Sequence, residues 1–304
     1  MTSTALVTHD PVLQLSAADV ARLTWPARLT RLAMLTIRAR EIVDYAVTVS
    51  AGGREVTAIV VLFSGGNDST VLAHLFRERA THAAHANTTV GIEQTREFVR
   101  ATAAELGLPL IEKVTPSPYE ELVLASGFPG PGHHWKMYQR LKERALRLVQ
   151  RELGLRRARV RRGVYLAGRR RDESRRRAAV PLHERDGAMV WASPLAEWTK
   201  LDLNTYRLVC RDVPVNAVSD VLHMSGECLC GSFAKPGERD EIAAWYPEAW
   251  APIAALEEKL ADRDDLPAHA KRWGWGATRI AAERGSHLER RIGALCSSCE
   301  GEAP

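Results

Sequence analysis

"VVLFSGGNDSTVLAHLF", residues 60–76, sets an apolar run against two glycines, a polar step of Asn67, Asp68, Ser69 and Thr70, and a second apolar run. Residues 56–63 are apolar and β-branched, which predicts a buried strand. Residues 69–79 predict a helix that starts directly after it. Glycine at such a junction lets a ligand approach the backbone, and the following helix N-terminus presents aligned N–H groups. Ser64–Ser69 is therefore a candidate phosphate cradle. A Walker loop needs GxxxxGK[ST] and a dinucleotide loop needs GxGxxG; neither spacing is present.

The same alternation continues outward. Residues 16–50 carry Leu23, Leu29, Leu32, Leu35, Ile42 and Val43 at near-helical spacing and end at the SAGG turn, 50–53. Strands are expected at 82–87, 109–114 and 163–168, and helices at 92–106 and 136–153. A short helix and a Pro/Gly-rich loop fill 116–135. The pattern predicts an α/β fold with a doubly wound, mostly parallel sheet and helices on both faces. Beyond Trp191 the chain turns to short helices, several tryptophans and all the cysteines. The expected division is a helical segment at 1–53, a nucleotide-binding domain at 54–215 and a cysteine-rich subdomain at 216–304. No internal repeat is visible.

The 304 residues are 45% hydrophobic, enough for a sizeable core, and no apolar run approaches a membrane span. The N-terminus lacks a basic region followed by an apolar core, so a cytoplasmic protein is expected. The net charge is +5, but arginine gathers in "RRARVRR" (156–162) and "RRRDESRRR" (169–177), a pattern suited to phosphate or nucleic acid. The five cysteines are Cys210, Cys228, Cys230, Cys296 and Cys299. An odd count with CxC and CxxC pairs argues for a metal site rather than disulfides. Four thiolates from Cys228, Cys230, Cys296 and Cys299 suit zinc or a [4Fe–4S] cluster, and the spacing leaves both open. Cys210 lies on an expected helix, where a small buried residue, a further ligand and a sulfur carrier all remain open. His133 and His134 sit in a loop, and "KRWGWG" (271–276) interleaves basic and aromatic residues as a base-stacking surface would.

SGGNDS matches the SGGxDS pyrophosphate loop of the adenine nucleotide alpha-hydrolase superfamily. Three further stretches resemble the phosphoadenosine phosphosulfate (PAPS) reductase-like family within it. "NTTVGIEQT" (87–95) is similar to its DTG-like strand end, with Thr89 where the glycine stands. "GRRRDESRRR" (168–177) fits GxRRxxSxxR, and residues 194–218 resemble W-x-x-x-D-x-x-x-Y…P-x-N. The resemblance implies nucleotide binding by Ser64, Gly65, Gly66, Asn67, Asp68, Ser69, Thr88, Gly168, Arg170, Arg171, Ser174 and Arg177. Asp68 would hold Mg²⁺ or order the loop, and Asp68, Ser64 and Cys210 are the candidate catalytic residues.

Two activities follow from the resemblance. Reductases attack the sulfur of PAPS or adenosine phosphosulfate (APS) with a cysteine in an ECGxH-like motif, and "LCSSCEGEAP" (295–304) does not show it. Cluster-bearing APS reductases also carry a Cys-Cys pair ahead of the arginine motif, and "HHWKMYQRLKERAL" (133–146) has no cysteine. "GECLCGSFAKPGE" (226–238) is nearer the iron–sulfur ATP pyrophosphatases of the DNA phosphorothioation type, which gather cysteines after that motif. That branch implies ATP with Mg²⁺, a [4Fe–4S] cluster, nucleic acid as a candidate acceptor and a sulfur-donor protein such as a cysteine desulfurase. A non-catalytic nucleotide-binding component of a larger assembly is the third reading.

Overall fold

The computed structural model describes residues 11–155, 159–174 and 177–277. The chain enters through α1 (Ala17–Arg22) and α2 (Trp25–Tyr45). Ser16 caps α1 in a capping box with Asp19, and Pro26 opens α2 at a position that tolerates proline. The two helices and the π turn at Ala46–Ser50 that follows α2 account for the single helical stretch expected over 16–50.

The sheet comes next. Strands β1 (Glu55–Leu62), β2 (His82–Asn87), β3 (Leu110–Val114) and β4 (Arg161–Leu166) run parallel. They are joined by α3 (Asn67–Phe76), α4 (Glu93–Glu105), and a long crossover through α5 (Tyr119–Ser126), α6 (His134–Met137) and α7 (Arg144–Glu152). The helix expected over 136–153 widens into a π turn at Tyr138–Glu143 between α6 and α7. A hairpin, β5 (His183–Asp186) and β6 (Met189–Ala192), completes six strands in the order β3-β2-β1-β4-β6-β5. β6 is parallel to β4, and among the described strands only β5 is antiparallel.

That hairpin is absent from the sequence reading. Its signal is Asp186-Gly187, with Gly187 in the left-handed region at φ +58°. Strands of four residues are too short to show a period against the neighbouring arginine run.

Successive β1 residues face opposite cores. Val61, with Phe63 just beyond the strand, packs with α2, α3 and α4 residues and with Leu203 and Tyr206; Ala58 and Val60 pack with Val149 of α7, Tyr165 and Met189. Helices α8 (Lys200–Val209), α9 (Ala217–Leu222), α10 (Glu238–Trp245) and α11 (Pro247–Ala261) follow the hairpin. A third core joins Val218, Leu229, Ile242, Ile253 and Trp273 to Val90, Tyr119, Phe128 and Leu141. The cysteine-bearing region thus shares a core with the β2 and β3 connections. Among the described residues, no helix is long and apolar enough to cross a membrane.

The tryptophan–aspartate–tyrosine motif is part of this framework. Trp198 and Asp202 are buried, and Asp202 accepts the N–H and hydroxyl of Thr199 at 2.7 and 2.8 Å, capping α8. Arg31 of α2, fully buried, donates from Nε and Nη2 to the two Asp202 oxygens at 2.9 Å each. Removing one partner strands a buried charge. Arg31→Met or Asp202→Leu alone should cost about 3–5 kcal/mol in chemical denaturation, and the double variant should recover much of that loss.

Candidate nucleotide site

The sheet reverses direction between β1 and β4: β1 leads on to β2 at one side, while β4 returns at the other. Ligands of open parallel sheets bind beyond the strand ends at such a point. The Ser64–Ser69 loop follows β1, and Gly168–Arg171 follows β4, so topology brings the two motifs together.

Gly65 holds φ +76°, and a Cβ there would stand 2.8 Å from Thr95 Cγ2 and 3.0 Å from Val99 Cγ2. Its carbonyl accepts the Asn216 side-chain amide at 2.8 Å and the Ser219 hydroxyl at 3.3 Å. Ser64 N–H donates to Ser69 Oγ at 3.2 Å, and Ser69 Oγ donates to the Gly66 carbonyl at 2.9 Å. The two serine hydroxyls lie 3.2 Å apart. Gly66 precedes α3 with no side-chain cap, which leaves the first N–H groups of the helix, from Asn67 onward, for an anion.

Asp68 accepts Arg170 Nε at 2.6 Å, a charge-assisted contact that joins the phosphate loop to the arginine motif. A Cβ on Gly168 would stand 3.3 Å from Asp68 C and Ser69 N, and glycine is what lets the two loops touch. Arg171 donates to the Val180 carbonyl at 3.0 Å and lies 4.0 Å from Glu197, while Arg177 pairs with Glu173. Ser174 adjoins them in extended backbone. Burial raises the Glu173 carboxyl above its ordinary range, and the Asp68 charge adds to it. Lys200 opens α8 against the same loop; burial lowers its ammonium, with the Asp68 charge opposing. Lys200 was missed in the sequence, where the Thr199-x-x-Asp202 capping box could have placed it at a helix start.

Thr88 is fully buried, and its hydroxyl and N–H are taken by Glu227: the hydroxyl donates to the Glu227 carbonyl at 2.6 Å, the N–H to Oε1 at 2.9 Å. Glu227 Oε2 lies 3.1 Å from His85 Nε2, both residues buried. Burial works against the imidazolium, yet the facing carboxylate and the Phe63 carbonyl outweigh it and raise His85. Thr89 takes φ +65°, the left-handed backbone that glycine adopts freely. Its hydroxyl accepts the Tyr119 N–H at 2.9 Å and so caps α5.

Next to Glu227 stand Cys228, half-buried, and Cys230, buried, both free thiols. Their loop is pinned by Leu229 N–H to the Val90 carbonyl (2.6 Å), the Trp273 indole to the Leu229 carbonyl (2.7 Å) and the Tyr119 hydroxyl to the Cys230 carbonyl (2.9 Å). The two thiols titrate as a pair: the contact between them lowers Cys230, and the same contact together with burial raises Cys228. Among the described residues no group of three or more metal-ligating side chains gathers. Cys296 and Cys299 lie outside the described residues, so half of the expected four-thiolate set is in view. Those two neighbouring, free thiols on a fixed loop are a donor pair that fits either zinc or an iron–sulfur cluster.

Other candidates fall elsewhere. Cys210 caps the far end of α8, about 15 Å along the helix from Lys200, and packs against the main core. The structure does not bring it to the loop. Trp273 of KRWGWG is buried and Trp275 donates to the Phe128 carbonyl at 2.9 Å, so these rings pack inward. The His134 ring lies tilted against Phe233, with ring centres 4.5 Å apart.

A glycine loop on a strand end, facing arginines from the neighbouring strand across a topological switch, defines a nucleotide-binding α/β protein. Residues 58–221, over half the chain, match the phosphoadenosine phosphosulfate reductase domain, and the chain belongs to that family. It is 29% identical over 214 residues to adenosine 5'-phosphosulfate reductase of Mesorhizobium japonicum, covering 67% of this chain and 80% of that one. It is 27% identical over 231 residues to the enzyme of the same name from Chelativorans sp., covering 75% and 87%. A PAPS reductase structure from Candida auris aligns over 65% of this chain and 92% of its own, at 18% identity and a TM-score of 0.44.

Gly65→Ala should lower the melting temperature and weaken nucleotide binding in calorimetry, since the φ alone costs about 1–2 kcal/mol. Adding Thr95→Ser removes the Cγ2 that the new methyl meets and should restore part of the loss.

Proposed function

We propose that the chain is an ATP-pyrophosphatase-type sulfur-transfer enzyme. The loop holds the phosphates of ATP, with Mg²⁺, and Arg170, Arg171 and Arg177 complement their charge. An acceptor oxygen attacks the α-phosphorus and pyrophosphate leaves. A sulfur nucleophile then displaces AMP, breaking the acceptor's bond to that oxygen and forming one to sulfur. Nucleic acid is the proposed acceptor, and a sulfur-donor protein such as a cysteine desulfurase the proposed source. A [4Fe–4S] cluster held by Cys228, Cys230, Cys296 and Cys299, with zinc the alternative, would supply the sulfur-binding chemistry.

The observation that carries this reading is the attachment of the cysteine segment to the nucleotide site. Thr95 donates to the Ser225 carbonyl at 2.8 Å, and Thr88 binds Glu227 immediately before Cys228. Cys228 and Cys230 are thus tied to the carboxyl end of β2, beside the β1 end that carries the phosphate loop.

A second reading, APS or PAPS reduction with release of sulfite, is favoured by the names of the curated relatives. There a thiolate attacks the sulfate sulfur. Calorimetric titration with ATP, APS and PAPS, beside a sulfite assay, separates the two. ATP preference without sulfite release is expected; tight APS or PAPS binding with thiol-dependent sulfite release would replace the first reading by the second.

Anaerobically purified protein should be brown, with about four irons per chain. Cys228→Ser should bleach it. A colourless protein with stoichiometric zinc would leave a zinc site in place of the cluster.

A further inference from the structure

Three ionisable side chains meet where the cysteine segment crosses the carboxyl end of β2. His85 and Glu227 are each 1% exposed at the side chain, and Arg96 of α4 is 12% exposed. Glu227 Oε2 lies 3.1 Å from His85 Nε2 and 3.8 Å from Arg96 Nε. Neither approach is in line for a hydrogen bond: His85 Nε2, Glu227 Oε2, and Arg96 Nε and Nη2 are buried with no hydrogen-bond partner. Buried polar groups are almost always satisfied, so four such atoms in one cluster require a reason. Like any part-satisfied buried network, this one gains from a small rearrangement that brings its members into line.

The cluster touches the phosphate loop from two sides. His85 Nδ1 hydrogen-bonds the carbonyl of Phe63, the residue before Ser64, at 2.8 Å. On the other side, a Cβ on Gly66 would stand 3.1 Å from Ser225 Cβ, and the Asn216 amide reaches both Gly65 O (2.8 Å) and Thr95 Oγ1 (3.3 Å). Thr95 in turn holds the Ser225 carbonyl. Residues 225–228 therefore lean on the loop backbone at one end and carry Cys228 at the other.

We infer that Glu227 is a positioning residue that couples occupancy of the Ser64–Ser69 loop to the placement of the Cys228–Cys230 segment. A phosphate drawn onto the loop N–H groups shifts the backbone from Phe63 to Gly66. His85 and Ser225 follow, and Glu227 Oε2 comes into line with His85 and Arg96. The segment before Cys228 is then held by both Glu227 oxygens rather than one. This rests on the nucleotide reading of the loop. It adds that the cysteine pair takes its working position only when nucleotide is bound.

Hydrogen–deuterium exchange on the protein as purified tests it, with ATP and APS as probes and calorimetry alongside. In the wild type, the bound nucleotide should protect both 63–70 and 225–231, slowing exchange in the second segment by about fivefold or more, the low end of ordinary coupling. Glu227→Gln keeps the side chain's shape and loses its charge; it should still bind nucleotide and protect 63–70, but lose the response at 225–231. Should that variant fail to fold, His85→Gln carries the same comparison. Protection confined to 63–70 in the wild type, or a response that survives both substitutions, would overturn the coupling while leaving nucleotide binding intact. Absence of binding by either probe in calorimetry would remove the nucleotide reading and the coupling together.

Discussion

The left-handed backbone at Gly65 is the constraint around which the rest is arranged. With φ at +76° and Thr95 Cγ2 within 2.8 Å of any Cβ, this position admits no side chain without displacement. Its carbonyl is turned away from the phosphate side and taken by Asn216 and Ser219. A peptide cannot rotate one end without the other, so the same bonds fix where the next N–H group points. Residues from α4 and α9 thereby hold the loop close to its bound shape before any ligand arrives and leave only a small shift for the ligand to make. Such preorganisation lowers the ordering cost of binding.

Charge is arranged on the same plan. Arg170 is only 5% exposed, and a buried guanidinium without a partner would be costly. Asp68 supplies that partner at 2.6 Å, Glu173 does so for Arg177, and Glu197 approaches Arg171. The carboxylates hold the arginines in place where phosphate would otherwise be needed. On the proposed reading, an incoming phosphate would exchange one charge-assisted contact for another rather than gather free side chains from solvent. The net gain per arginine is correspondingly modest, and selectivity rests on the shape of the backbone cradle as much as on charge.

The strand–loop–helix core was legible because three independent signals coincide at 56–76: β-branched residues, paired glycines and a polar helix start. The arginine motif could be placed because Gly168 closely follows the apolar run of β4, and glycine there has a packing reason in the 3.3 Å approach to Asp68. Glu227 and His85 were not legible. They are 142 residues apart in the chain, and nothing in local pattern marks a contact that only tertiary folding creates. The hairpin at 183–192 escaped for the opposite reason: its strands are so short that local pattern is all they have, and four residues hold little of it. The tryptophans of 271–276 were ambiguous because an aromatic beside a basic residue reads alike in a core edge and a stacking surface; the Trp273 indole bond to Leu229 settles it toward the core.

Thr89 shows how a departure from a family pattern can be tolerated by the fold. The position demands φ of +65°, where a β-branched residue is strained and glycine is not. A glycine would relieve that strain but leave the Tyr119 N–H at the start of α5 without its acceptor. The Tyr119 hydroxyl, at the same residue, holds the Cys230 carbonyl. Strain at the end of β2 is thus exchanged for a cap on α5, and the residue so capped reaches the cysteine loop. A local cost of this kind persists only where surrounding contacts hold it in place. Here those contacts run from the nucleotide-facing end of the sheet to the thiol pair.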